Sequence, residues 1–559
     1  MKNRSILLIS DFTVSGLAPF LRREIPVEVA PFDQVASVLL DPSQAAWREE
    51  PNLALVWTRP DGVVRSFGRL LRGEDVSLDQ LLEETEQFIE QLTMAADRVE
   101  HLFVASWTVP PYVRGLGLLS LDPERGHAHH LLRMNLRLME LARENPKVSI
   151  LDSGRWLAHA GVAGCNPKLW HMGKIAFGPA VMAQAGADVV GAICAIEGRT
   201  RKVVVVDLDD TLWGGIVGDE GWEKLRLGGH SPIGEGFAAF QSELKALQRR
   251  GVLLAIVSKN TEEVALEAID RHPEMVLQRD DFVAWRINWS DKAQNIRDLA
   301  EELNLGLDSF VFIDDHPAER ARVRAALPAV FVPDWPDDKL LYAQALTELT
   351  CFDPATLTAE DRARSEMYRA EQQRNKVQDS AQTVEAYLES LQLRVTAERL
   401  NASNLSRAVQ LLNKTNQMNL ATRRMTEAQF DAIHTDRCPV FVFRVADRFG
   451  EYGLTGLASI TVNGNTATVT DFVVSCRVMG RGVEEAMLHV ITQFAGRVGA
   501  NKVEATYLPT DRNAPIKAFC DKNLGTPSSS ADDHTSYSWS TAGPTWLAQH
   551  IQLDWDLAQ

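Results

Sequence analysis

Short apolar blocks separated by amphipathic stretches run through the first two thirds of the chain. Residues 5–10, 54–58, 101–106 and 148–152 read as short buried strands, and 78–92 and 130–142 as amphipathic helices between them. Strands alternating with helices imply a parallel sheet covered on both faces. Small residues fill 178–198, which reads as one more helix. Four valines, Val203–Val206, open a strand buried on both faces. A second α/β unit continues through Leu253–Ser258 and 310–314 and fades near Leu349. Residues 356–385 are polar and charged at helical spacing, the pattern of a connecting helix. From Leu393 the pattern changes to shorter strands with period two, at 440–445, 457–462 and 467–473, then a Gly-rich turn and a helix. The expected architecture is therefore multidomain α/β: an α/β domain at 1–195, a second at 196–350, a connecting helical segment at 351–390, and an α+β domain at 391–559.

Composition narrows the class. Of 559 residues, 45% are apolar and 24% charged, the balance of a globular protein. No apolar run approaches the roughly 18 residues of a spanning helix, and the apolar start at 6–9 soon meets Asp11. The reading is a cytoplasmic protein that engages no membrane. A net charge of −17 argues against nucleic-acid binding, because the phosphate backbone would be repelled. Six cysteines with no CxxC pair argue against a disulfide framework or a zinc site, so a cysteine that matters acts alone as a thiol.

The chemistry concentrates in two places. In VVVVDLDDTLWGG, Asp207 and Asp209 stand just past a buried strand, where ligands of parallel sheets bind. One carboxylate can attack phosphorus while the other handles the proton. Ser258 ends the next apolar strand, and Asp314 and Asp315 end the one after, with Lys292 between. A hydroxyl can hold a phosphoryl oxygen, clustered carboxylates bind Mg²⁺, and a lysine offsets phosphoryl charge. The gap from Asp209 to Ser258 is too short for a large cap domain. The second place is DFVVSCRVMGRGVEEAM, a strand followed by Arg477-x-x-Gly480-x-Gly482 and a helix. Glycines let backbone approach a phosphate, and a helix N-terminus offers it N–H groups. Cys476 stands at the mouth of this loop beside Arg477 and Arg481, which favour a thiolate.

The order DxDxT, Ser, Lys, acidic pair resembles the haloacid dehalogenase superfamily. That resemblance implies a nucleophile at Asp207, an acid–base group at Asp209, and phosphate-site hydroxyls at Thr211 and Ser258. It also implies stabilisation by Lys292 and Mg²⁺ held by Asp207, Asp209, Asp314 and Asp315. The RxxGxG loop, with Asn513 past a strand at 503–508, resembles the pyrophosphate loop of GNAT acyltransferases. QLLNKTNQMNLATRR, DRFGEYGLTG and SCRVMGRGVE, together with DLDDTLWGGIVGDEG and FIDDHPAER, look like the FkbH-like proteins of polyketide biosynthesis. The likeness covers about 200–525, and the N-terminal third is similar to the SGNH-hydrolase-like extension of some members.

The FkbH-like resemblance implies an enzyme that takes 1,3-bisphosphoglycerate, removes phosphate, and delivers a glyceryl group to the phosphopantetheine thiol of an acyl carrier protein. Cys476 would carry the acyl group, the carrier's arm would lie along Arg477, Gly480 and Gly482, and Asn416, Asn419 and Arg423 would bind substrate or form an Asn-rich turn network. His316 stands where the family more often has Asn. SGNH hydrolases need Gly-Asp-Ser and a later Asp-x-x-His, whereas Ser10-Asp11-Phe12-Thr13 and Asp152 with Arg155 stand here, His159 lying further on; the domain is expected to dock rather than hydrolyse. The alternatives are a phosphatase without acyl transfer, a GNAT-type acyltransferase, and a non-catalytic scaffold for carrier proteins.

Overall fold

The computed structural model describes residues 4–356, 370, 373–374, 377–378, 383–435, 438–510, 512–531, 534–543 and 546–555. Most of the expected connecting segment at 351–390 lies outside them, apart from a helix at Val384–Leu391. The chain divides into two compact units, Met1–Arg201 with Thr347–Ala355, and Lys202–Leu346 with Thr356–Gln559.

The first unit is a five-stranded parallel sheet, ordered β2-β1-β3-β4-β5, of β1 (Ile6–Ile9), β2 (Val27–Val29), β3 (Leu53–Val56), β4 (His101–Ala105) and β5 (Val148–Leu151). The unanticipated strand is β2, three residues at an edge and too short and exposed to leave an apolar block. Ser77 caps the helix Leu78–Ala96 by accepting the Gln80 N–H at 3.2 Å, and that helix buries Leu81, Phe88 and Leu92. Pro179–Ile196 corrects the reading of apolar runs: by length and composition it is long and apolar enough to cross a membrane. Its Val181, Ala185, Val189 and Ile193 recur at i, i+4, i+8 and i+12 and are buried in the core beside the sheet.

The second unit holds two sheets. One is parallel and four-stranded, ordered β8-β7-β6-β9, of β6 (Val203–Val206), β7 (Leu253–Ser258), β8 (Phe282–Ile287) and β9 (Phe310–Ile313). Every residue of β6, β7 and β9 is buried, which explains why these read as continuous apolar runs. At the edge, β8 carries the half-buried Trp285 and Arg286 and was not legible. The groups expected on successive strands thus stand on strands adjacent in space, β6 between β7 and β9.

The other sheet has eight mainly antiparallel strands, ordered β15-β16-β14-β13-β12-β11-β10-β17. They are β10 (Leu393–Arg399), β11 (Val440–Asp447), β12 (Gly450–Asn463), β13 (Thr466–Val474), β14 (Lys502–Tyr507), β15 (Ser529–Ala531), β16 (His534–Ser540) and β17 (Ile551–Trp555). The parallel pair β13 and β14 is joined only from Thr466↔Lys502 to Val469↔Ala505. Beyond that, Leu420 donates its N–H to the Phe472 carbonyl and accepts from Leu508, while the Val474 N–H reaches the Met418 carbonyl. Residues 418–420 therefore fill the gap between the two strands.

Candidate active site

Strand β6 delivers Asp207 and Asp209, β7 delivers Ser258, and β9 delivers Asp314 and Asp315 to one end of the parallel sheet. Register fixes this convergence, because Val206 pairs with Ile256 on one side and Ile313 on the other. Ligand oxygens of Asp207, Asp314 and Asp315 lie within 4.8 Å of one another. The Lys292 ammonium, 3% exposed, sits 3.0 Å from Asp207 Oδ2 and 2.6 Å from Asp314 Oδ2. Three carboxylates against the buried Lys292 ammonium and the half-buried Lys339 beside Asp315 leave an excess of negative charge. Asp207 Oδ1 is buried and has no hydrogen-bond partner among the described residues. An orphaned buried carboxylate oxygen is costly unless a ligand satisfies it, and an all-oxygen donor set suits a hard divalent cation. The residues present therefore fit Mg²⁺.

Burial pushes Asp314 up to about 6, with the Asp207 charge adding to the rise against the opposing Lys292. Burial alone would depress Lys292, but the Asp207 and Asp314 charges outweigh it and hold its pKa above the usual lysine value.

Asp209 was expected among the metal ligands, and its side chain stands apart from the three clustered carboxylates. Its carboxylate lies outside the cluster because three donors turn it away: the Trp213 indole N–H at 2.9 Å, the Val217 N–H at 3.1 Å and the Asn260 amide at 2.8 Å. Burial raises its pKa against these three hydrogen bonds, which suits a proton donor and acceptor. Thr211 also departs. Fully buried, its hydroxyl accepts the Asp315 N–H at 3.0 Å and faces Asp315 Oδ1 at 3.3 Å, so it orients a cluster carboxylate. Ser258 ends β7 at 2% exposure, at the same end of the sheet as Asp207, where its hydroxyl could hold a phosphoryl oxygen. His316 helps through its backbone, whose N–H donates to Asp314 Oδ1 at 2.8 Å, while its Nδ1 accepts the Ala318 N–H at 3.3 Å and caps the helix that follows.

Two contributors were missed. Asn260 lies two residues past Ser258, and its place after a buried strand was a usable signal. Lys339 donates to the Asp210 carbonyl at 2.7 Å, to Asp315 Oδ2 at 3.2 Å and to the Tyr342 hydroxyl at 2.8 Å. No local pattern announces it.

The eight-stranded sheet treats its candidates differently. Asn513, fully buried, accepts from the Thr510 N–H at 2.7 Å and Tyr507 at 3.0 Å, and donates to the carbonyls of Leu508 and Asn419 at 2.8 and 3.1 Å. Asn419 is equally buried, donates to the Thr415 carbonyl at 3.0 Å and accepts the Thr422 N–H at 2.8 Å. Arg423 pairs with the buried Asp471, and Asn416 accepts from Arg424. These four side chains fix the segment that fills the strand gap, contrary to a ligand-binding role for Asn419 and Asn513.

Cys476, past β13, is exposed. Arg477 lies against Ser475 at 3.4 Å. Gly480 and Gly482 have φ of +75° and +87°, which only glycine adopts freely. The Gly480 N–H is already taken, donating to Glu484 Oε1 at 2.7 Å. Burial pushes Glu484 up to about 7, against the hydrogen bonds from its own N–H and from Gly480.

In the first unit, Asp152 caps the helix Ser153–Ala160 by accepting the Arg155 N–H, and the Arg155 side chain pairs with Asp188.

No protein-family profile matches the chain, and no curated protein matches it. Among solved structures it is similar to the N-terminal part of the protein BF1531 from Bacteroides fragilis, which contains a phosphatase domain and was crystallised with Mg. The two are 28% identical at a TM-score of 0.58, over 63% of this chain and 95% of that one. Weaker overlaps involve the ribosomal-protein-S18-alanine N-acetyltransferase from Escherichia coli, 14% identical at 0.22 over 27% of this chain and 96% of that one. Spermidine N-acetyltransferase from Vibrio cholerae is 13% identical at 0.21 over 28% and 98%.

Proposed function

We propose that the chain is a Mg²⁺-dependent phosphatase coupled to acyl transfer, acting on 1,3-bisphosphoglycerate and loading glyceryl onto an acyl carrier protein. The observation that carries the phosphatase half is the buried Asp207 Oδ1, without a partner among the described residues, beside Lys292, Asp314 and Asp315. Similarity to a phosphatase domain crystallised with Mg supports it.

In this reading Asp207 attacks the ester phosphorus, the bond from phosphorus to the substrate's alkoxide oxygen breaks, and Asp209 gives that oxygen its proton. Water then attacks the aspartyl-phosphate, Asp209 takes the water's proton, and inorganic phosphate leaves. Lys292 and the Ser258 hydroxyl hold phosphoryl oxygens. Bound at Asp207, Asp314 and Asp315, Mg²⁺ supplies charge stabilisation to those oxygens.

The acyl half rests on the exposed Cys476 and on the resemblance to FkbH-like proteins. The Cys476 thiolate attacks the acyl phosphate carbon, the C–O bond to phosphate breaks, and a thioester forms. The carrier's phosphopantetheine thiolate attacks that thioester and leaves Cys476 free. A phosphatase without acyl transfer is favoured by one fact, that Asn419 and Asn513 are wholly engaged inside the protein.

Incubation with 1,3-bisphosphoglycerate and Mg²⁺, then intact mass, separates the two. A glyceryl or phosphoglyceryl adduct on wild type and none on Cys476→Ala supports acyl transfer. Phosphate release with no adduct on either protein leaves the phosphatase alone.

A further inference from the structure

A chain-like thiol cofactor bearing a diphosphate needs two things from a fold of this kind. Its amides need unpaired backbone groups along a split between strands, and its diphosphate needs free N–H groups at a helix N-terminus. The eight-stranded sheet offers both places in form. The parallel strands β13 and β14 part after Val469 and Ala505, and Arg477–Gly482 leads into the fifteen-residue helix Val483–Arg497.

Both places are already filled by the chain. In the split, Leu420 pairs with Phe472 and Leu508, and Met418 with Val474. Asn513 locks this arrangement by donating to the Asn419 carbonyl at 3.1 Å. At the loop, the Glu484 carboxyl is 3% exposed, with Oε1 on the Gly480 N–H and Oε2 without a partner among the described residues. Across the loop, a Cβ on Gly482 would stand 3.0 Å from Ile551 and 3.2 Å from the His550 ring. The His550 ring nitrogen also lies 2.9 Å from the Arg481 carbonyl.

We propose that this domain excludes free coenzyme A, with Glu484 as the residue that denies the loop to a diphosphate. The Glu484 carboxyl at the helix N-terminus takes the Gly480 N–H, and above pH 7, where it is ionised, it also repels a second anion by like charge. The acyl acceptor must then reach the exposed face of Cys476, Met479 and Gly480 from outside, as a thiol borne on a partner macromolecule. This deepens the acyl-transfer reading and rests on it.

Titration calorimetry without Mg²⁺, at a pH well above 7 so that Glu484 is ionised, tests the exclusion, with coenzyme A and inorganic diphosphate as probes against wild type and Glu484→Gln. Wild type is expected to show no saturable binding of coenzyme A up to about 1 mM, the weak end of specific recognition. Glu484→Gln, which keeps an acceptor for Gly480 but no charge, is expected to bind diphosphate at least about tenfold more tightly than wild type. Any diphosphate held at the Asp207 centre is common to both proteins and cancels in that comparison. Micromolar binding of coenzyme A to wild type overturns the proposal. Equal diphosphate affinity in a folded Glu484→Gln, or in Glu484→Ala where the first does not fold, removes Glu484 from the role. The adduct on Cys476 is read separately by mass, so failure of acyl transfer is distinguishable from failure of the exclusion.

Discussion

Asp11 and Asp207 occupy equivalent places in two parallel sheets, each a buried carboxylate just past the end of a fully buried strand. Their surroundings differ in charge balance. Arg59 occupies both oxygens of Asp11, its backbone N–H at 2.9 Å and its Nε at 3.0 Å, and the guanidinium stacks over Trp170 at 3.9 Å. Asp207 shares one ammonium with Asp314 and keeps an oxygen without a partner among the described residues. The first carboxylate is a structural brace beside a cavity of about 140 Å³ lined by Arg59, Asp61, Thr108, Tyr112, Trp170 and Phe177. The second is held ready for a cation and a phosphoryl group. A strand-end aspartate becomes a reactive group only where the fold withholds its full set of partners.

The comparison breaks most visibly under matched substitutions. Asp207→Asn is expected to lower phosphate release at least about 10³-fold, by loss of the nucleophile, while Asp11→Asn leaves the rate unchanged. A phosphate-release assay on both variants decides it. Lys292→Met removes the ammonium shared by Asp207 and Asp314, and single-turnover rates are expected to fall about 10²-fold.

Smaller effects sharpen the picture around the cluster. Lys339→Met frees Asp315 and is expected to raise the Mg²⁺ concentration for half-maximal rate about tenfold, with the rate at saturating Mg²⁺ less affected. Asn260→Ala removes a donor to the Asp209 carboxylate. Donation to the ionised form lowers its pKa, so the limb of the pH–rate profile that reports Asp209 should move to higher pH. The smallest effect belongs to Asp11, which burial raises to about 6 from 3.8 against the pull of Arg59. A raised folded pKa means that the folded form holds the proton more tightly. Its contribution to stability is full below 3.8 and is lost as pH rises through about 6. Thermal melts between those values should slope less with pH in Asp11→Asn than in wild type.

What the sequence disclosed follows from how local each signal is. β6, β7 and β9 were legible because strands buried on both faces leave unbroken apolar runs, and the carboxylates that follow them inherit the strand ends. Asn419 and Asn513 misled because residue type shows hydrogen-bonding capacity but not the partner, and their partners lie in the strand gap that residues 418–420 fill. Thr211 and Asp209 were placed in the right crevice, yet their orientation depends on Asp315 and on Trp213, Val217 and Asn260. Lys339 reaches the Asp210 carbonyl from 129 residues along the chain, a separation that no periodicity encodes.

The most direct test of the account is to trap the phosphorylated enzyme. Wild type would be mixed with 1,3-bisphosphoglycerate and Mg²⁺, quenched in acid, digested, and its peptides weighed. A phosphoryl-sized gain on the peptide carrying Asp207, absent without Mg²⁺ and absent in Asp207→Asn, is the predicted result. Phosphate release by Asp207→Asn at the wild-type rate would contradict it.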